Sequence, residues 1–319
     1  MRIIGIILAI FGFLVLVVGH ELGHFSAGKL LDFRISEFSV GIGPCLFQRQ
    51  KGETKYSLRA IPLGGYCAFD LPPDEDELSD DESNIGDKIN DILSDKDNRA
   101  FSNQPAWAKI AVLLAGPFMN IIIGILMFAL IFCYVGIGSR TLEYVDPNGP
   151  AYAAGIRSGD TILGVNNREY NDFESIQGAI SAFDGDVIPV RYERDGKIID
   201  TQCGFYINEY GSRAVGIQAK ITKNFGDCLN HGIKETGVML VSIRDFFVDL
   251  FKGNASSDDL TSVVGIVSMA GDSAEHGLIN VFYLIALVSA NLGYMNLLPF
   301  PALDGGRILI TIIKALSGN

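Results

Sequence analysis

Charge is scarce in this 319-residue chain. Asp, Glu, Lys and Arg make up 19% of it against 48% hydrophobic residues, and the mean hydropathy is +0.28. Such a composition argues against intrinsic disorder and against an ordinary water-soluble enzyme. Basic residues are the scarcer sign, 25 against 37 acids, for a formal charge of −12. Nucleic acid is therefore not an expected partner. Cysteine is sparse too. Cys45, Cys67, Cys133, Cys203 and Cys228 are odd in number and form no C-x-x-C pair, so neither a disulfide framework nor a cysteine zinc site is expected. Cys133 lies in an apolar run, where a thiol simply packs. No internal repeat is present.

The apolar residues are gathered into three stretches without charge, 3–19, 110–138 and 277–303. A bilayer-spanning helix takes about 20 residues, so all three qualify, the first if its helix continues past His20. A cleaved signal peptide is the alternative for the first, since Arg2 precedes it, but no A-x-A site follows. The acidity is also concentrated. Twelve acids and two lysines lie in 70–97, a local net of −10, which predicts a mobile loop over 70–99.

Between the first two spans, 34–69 alternates apolar and polar residues around turns at Gly41-Ile42-Gly43-Pro44 and at 48–54, the pattern of a β-hairpin pair. It ends in Gly64 and Gly65, a pair that permits close approach of another chain. Beyond the second span, 139–220 reads as a soluble domain. Its β-like pieces are 142–145, 161–165, 187–193 and 215–217, with helical pieces at 151–156 and 173–183. The segment 228–252 has apolar residues at helical spacing interrupted by charges; packing on the soluble domain and lying along a membrane surface are the two placements open to it, and the surface is expected.

The chemistry sits inside the apolar stretches. His20-Glu21-Leu22-Gly23-His24 is an H-E-x-x-H run. On a helix, i and i+4 share a face, so both imidazoles can hold one zinc, with Glu21 beside them as a base. Ionisable groups at the end of a membrane helix cost free energy unless they are used. Catalytic zinc takes about three protein ligands and an open position. Candidates for the third are His231, His276 and an acid in an apolar context. Asp304 stands out, because it follows 27 uncharged residues and two helix-breaking prolines, Pro299 and Pro301. The alternative is that Asp304 caps a short following helix, 308–316.

At this point the chain resembles the site-2 protease family of intramembrane zinc metalloproteases, and within it the PDZ-containing regulator-of-sigma-E protease group of bacteria. His20 to His24 is similar to the family's HExxH. Asn296, Pro299, Pro301, Leu303, Asp304 and Gly305 follow its NxxPxPxLDG, and Gly116, Pro117 and Asn120 its GPxxN. Ile61-Pro62-Leu63-Gly64-Gly65-Tyr66 resembles its β-loop, and Gly149-Pro150-Ala151 through Gly159-Asp160 and Asn166 its PDZ domain. The resemblance implies an α-helical multi-pass membrane protein with a membrane-associated β-loop and one inserted α+β PDZ domain. It implies one zinc ion per chain on His20, His24 and Asp304, and Glu21 as the catalytic general base. Asn296, Asn120, Gly64 and Gly65 would meet the substrate. That substrate would be a transmembrane helix, such as that of a pre-trimmed anti-sigma factor, in contact with membrane lipid. The PDZ domain would lie outside the cytoplasm, with the active site toward the cytoplasmic side.

Four departures accompany the resemblance. The family's fourth span is not in this sequence, one PDZ domain stands where some relatives have two, the acidic insertion has no assigned counterpart, and Thr261-Ser262-Val263-Val264-Gly265-Ile266 stands where many members carry Gly-Pro before Val-Gly-Ile. Two other functions remain to be weighed. A non-enzymatic PDZ receptor or scaffold would have no use for Glu21, and a transporter would be expected to show paired inverted segments.

Overall fold

The computed structural model describes residues 2–69, 98–208, 211–253 and 278–317. The acidic stretch 70–97 and His276 lie outside them. The chain divides into two compact units, Met1–Ala129 with His231–Asn319, and Leu130–Asn230.

The first unit is built on long helices. α1 is Arg2–Leu30, and two later helices named below cross beside it. By length and composition, Ile10–Leu30, Ala106–Val135 and Ile279–Asn296 can each cross a membrane. α2 (Ala106–Val135) has 30 residues, about 45 Å at 1.5 Å per residue, longer than a ~30 Å hydrocarbon core. Trp107 near its start and Tyr134 near its end are exposed, the placement of interfacial aromatics. Phe11, Phe118 and Leu130 are exposed as well, as side chains facing lipid would be.

Inside the bundle, small residues set the packing, because lipid supplies no hydrophobic drive between helices. A Cβ on Gly23 of α1 would strike the Ala115 carbonyl of α2. A Cβ on Gly293 would stand 3.0 Å from the Pro117 carbonyl oxygen. Gly293 belongs to α6 (Leu278–Asn296), which ends where Pro299 and Pro301 forbid its continuation. α7 (Asp304–Ser317) follows, starting earlier than the sequence suggests.

β1 (Ile35–Lys51) and β2 (Thr54–Phe69) follow α1. Each bends, so the sheet has four plies. Glu37 to Val40 is paired on both sides, with Ala68 to Gly65 in descending order and with Lys55 to Leu58 in ascending order, while Cys45 to Lys51 pairs with Arg59 to Thr54. The expected turn at Gly41–Pro44 is thus a bend within β1, with φ +87° and +86° at Gly41 and Gly43. The segment 65–69 is one outer edge.

A buried acid ties these plies together. Glu37 accepts hydrogen bonds from Ser57 Oγ and from Arg59 Nη2 at 3.1 Å, and Arg59 Nη2 also reaches Tyr66 Oη at 2.6 Å. Burial alone would push Glu37 up. The hydrogen bonds from Ser57, Tyr66 and Arg59, with the Arg59 charge, outweigh it and hold the carboxyl below its usual range. A lowered folded value stabilises above the unfolded one, about 4.3, and that stabilisation is lost as pH falls through the folded value. Acid unfolding of the sheet, followed by hydrogen exchange, is therefore expected to lose this slope in Glu37→Gln. That variant should also cost about 1–3 kcal/mol at neutral pH. An unchanged acid slope would show that other carboxyls carry it.

The second unit holds β3 (Ile137–Val145), α3 (Pro150–Ala153), β4 (Thr161–Val165), β5 (Arg168–Glu169), α4 (Phe173–Ser181), β6 (Ile188–Arg194), β7 (Lys197–Cys203), β8 (Tyr206–Ile207), β9 (Arg213–Ala214) and β10 (Ile217–Thr222). Its sheet runs β10-β3-β4-β6-β7, with β5 on β4. Leu142, Ile162, Val165, Ile176, Ile188 and Val190 form its core. Asp172 caps α4 by accepting from Ser175 N–H at 2.7 Å. The sequence reading misses β7, whose exposed polar positions hide it. Its signal was the turn Asp195-Gly196, where φ is +51° and +74°, a hairpin dipeptide. α5 (Phe225–Phe251) starts in this unit and continues in the first. Within the first unit a Cβ on Gly232 would meet the Ile125 carbonyl of α2 at 2.6 Å, and Phe247 stacks on Tyr294 of α6. α5 thus packs along the helices.

Candidate metal centre

Two turns of α1 carry His20 and His24 on one face, and the first residue of α7 brings Asp304 to them. The imidazole Nε2 atoms are 3.1 Å apart. Asp304 Oδ2 lies 3.2 Å from Nε2 of His20 and 3.3 Å from Nε2 of His24. Among the described residues these three form the one group of His, Cys, Asp or Glu able to hold a metal ion. His231, in α5, is not part of it.

The donor set fits a cation. His24 Nδ1 lies 2.8 Å from the Val112 carbonyl, which can only accept, so Nδ1 carries a proton and the neutral imidazole has its lone pair on Nε2. That lone pair faces a carboxylate oxygen, an arrangement that repels unless a positive charge lies between. Zinc bonds of about 2.0–2.2 Å in a tetrahedron separate ligand atoms by roughly 3.3–3.6 Å, close to the spacing here.

Glycines make the convergence possible. A Cβ on Gly116 of α2 would overlap His24 Nε2 and come within 2.8 Å of His20 Cε1. Side chains on Gly305 or Gly306 would strike the carbonyls of Leu297, Leu298 and Phe300, so only glycine lets α7 start close enough to aim Asp304. Gly116→Ala is accordingly expected to displace both imidazoles at a cost of about 1–3 kcal/mol, roughly ten- to hundredfold in zinc affinity. Metal titration checks this, and wild-type affinity would contradict it.

A cavity of about 810 Å³ opens on the cluster, lined by His20, Glu21, His24, Asn296, Asp304 and Arg307 and by residues 66–69 of the sheet edge. Glu21 Oε2 accepts the Cys67 backbone N–H at 2.9 Å, which joins the acid to that edge. Of the expected substrate residues, Asn296 lines the cavity. Gly65 lies beside Glu21, its Cβ position 3.6 Å from Glu21 Cγ, and Gly64 packs on Ile42. Asn120 is buried at 1% exposure and contacts His20 instead.

The sequence reading overlooked Tyr66, Cys67 and Arg307. Arg307 had a signal, since it stands three residues after Asp304 and shares its helix face. Cys67 is no nucleophile. Burial, reinforced by the Glu21 charge, pushes its thiol up to about 12.

The profile of Peptidase family M50 matches residues 8–319. The chain belongs to this family. A Clostridium acetobutylicum protein named "Putative zinc metalloprotease" is 33% identical over 322 residues, covering 100% of this chain and 89% of the relative. Metalloprotease MmpA of Caulobacter vibrioides is 30% identical, covering 95% and 84%. Part of the chain is also similar to the PDZ domain of an SdrC-like protein from Listeria monocytogenes. That likeness is 18% identical with a TM-score of 0.23, over 28% of this chain and 90% of that one. The resemblance to site-2 proteases is borne out, and the M50 chain is a zinc metalloprotease of the intramembrane type.

Proposed function

We propose that this M50 protease holds one zinc on His20, His24 and Asp304 and hydrolyses peptide bonds within transmembrane helices of single-pass substrates, pre-trimmed anti-sigma factors among them. The observation that carries the reading is the convergence of three metal-ligand atoms in a cavity whose wall is an outer sheet edge. Zinc, when bound there, supplies Lewis-acid polarisation and makes water acidic enough to attack near neutral pH.

The protein's own groups do the rest. Glu21, oriented by the Cys67 N–H, takes the proton from the attacking water and returns it to the leaving nitrogen as the C–N bond breaks. A helical peptide bond is internally hydrogen-bonded, so the substrate must unwind first. The edge at 65–69 offers an unwound segment a strand to pair with, by β-augmentation. On this edge the Cys67 N–H points away from its partner strand, toward Glu21, so a paired substrate lies next to the base. Asn296 at the cavity wall binds the substrate backbone.

The second unit serves as a PDZ domain outside the cytoplasm. It restrains entry of long substrates, and the active site faces the cytoplasmic side. Purified protein incubated with a membrane-helix substrate is expected to cleave it, to stop with a zinc chelator, and to recover on zinc addition. Cleavage that persists through chelation would overturn this reading. Deleting 139–220 should leave cleavage of a short, trimmed substrate and admit longer ones.

A further inference from the structure

The proposed zinc site leaves one question of hydrogen position. His24 is settled by the Val112 carbonyl, which fixes its proton on Nδ1. His20 has a different neighbour. Its Nδ1 lies 3.4 Å from Nδ2 of the Asn120 side-chain amide, and that amide is shut in the helix crossing at 1% exposure. The Asn120 backbone is pinned there, because Ser289 Oγ of α6 donates to its carbonyl at 2.7 Å. Asn120 Oδ1 has no hydrogen-bond partner.

We propose that Asn120 is a positioning residue of the metal site: its side-chain carbonyl accepts the Nδ1 proton of His20 and keeps the His20 Nε2 lone pair aimed at zinc. The proposal rests on the reading that His20 is a ligand. A neutral imidazole carries one proton, and a zinc-bound Nε2 cannot be its site, so Nδ1 must donate. The amide nitrogen cannot accept that proton, whereas the carbonyl can. The two ends of an asparagine amide exchange by a half-turn and are nearly alike in shape. Oδ1 is bonded to nothing else, so turning it to His20 breaks no other bond. The half-turn puts the NH2 where the carbonyl was, so the imidazole, not the count of satisfied groups, selects the orientation.

The two zinc histidines are then held alike, each by a carbonyl of α2, one from the backbone at Val112 and one from the side chain at Asn120. Such outer partners typically contribute 10- to 100-fold in metal affinity. This role differs from the substrate contact that the motif suggests, and the burial of Asn120 favours it.

The test compares Asn120→Asp, which presents only acceptors, with Asn120→Leu, which presents none. Zinc affinity is read by chelator competition, ligand geometry by the visible spectrum of the cobalt-substituted protein, and the His20 Nδ1 proton by nitrogen-15 histidine spectra of the zinc form. Thermal unfolding of the metal-free variants controls for folding. The Leu variant is expected to lose about 10- to 100-fold in zinc affinity and the hydrogen-bonded Nδ1 proton. The Asp variant should keep both. Equal loss in the two variants, or full affinity in the Leu variant, would overturn the proposal. A His24→Ala arm separates the underlying reading: zinc affinity that survives it would show that the metal lies elsewhere.

Discussion

Glu21→Gln is expected to lower proteolysis about 10²- to 10⁴-fold, the usual contribution of a general base, while zinc content stays at the wild-type level. The reason is geometric. Glu21 lines the cavity but is not in the cluster of His20, His24 and Asp304, so its loss removes a proton acceptor and no ligand. Its structural bond is the one from the Cys67 N–H. A glutamine carbonyl accepts the same hydrogen bond, so the sheet edge should remain docked on α1. The measurement pairs cleavage of a membrane-helix substrate with metal analysis and thermal unfolding of the same preparation. Substantial cleavage by a folded, zinc-loaded variant would assign the base to another group. Loss of zinc together with activity would mean that Glu21 belongs to the ligand set.

Asp304→Ala should have the opposite signature, with the metal lost first and activity following it. Full structural zinc sites hold the ion with about 10–16 kcal/mol over four ligands, roughly 3 kcal/mol for each. Removing the carboxylate should therefore weaken zinc on the order of a hundredfold. Asp304 also carries the only negative charge among the three donors, and its Oδ2 stands about equally far from both imidazoles, at 3.2 and 3.3 Å. Asp304→Asn keeps the shape and one oxygen without that charge, and an intermediate affinity is expected. Metal titration of both variants decides. Undiminished affinity in the alanine variant, or a full site that uses His231, would sink the assignment. The cap reading of Asp304 makes a different forecast: α7 would fray and zinc would be retained.

The spans, the H-E-x-x-H pair and the isolated acid were legible without coordinates, because each is a local signal. Twenty apolar residues announce a membrane helix wherever they fall, and the i, i+4 spacing puts two histidines on one helix face whatever packs against it. A turn can also be local, and Asp195-Gly196 marked the hairpin into β7 although the strand itself was missed. Its consecutive polar residues Asp200, Thr201 and Gln202 look like loop until a neighbouring strand is there to pair with them.

Other features depend on distant parts of the chain meeting. Nothing near Asn120 in sequence says that its amide meets His20, 100 residues away. That contact exists because α1 and α2 approach closely at glycines such as Gly23 and Gly116. The joining of Glu21 to Cys67 N–H depends on the sheet folding back on α1. Glu37 and Arg59, 22 residues apart, meet only because the plies of β1 and β2 lie side by side. Sequence alone supplied the residue types and the helix faces, since backbone periodicity sets these. Which donor faces which acceptor, and which edge borders the cavity, was decided by tertiary packing, because hydrogen bonds and metal bonds form only between groups that the fold has already brought within about 3 Å.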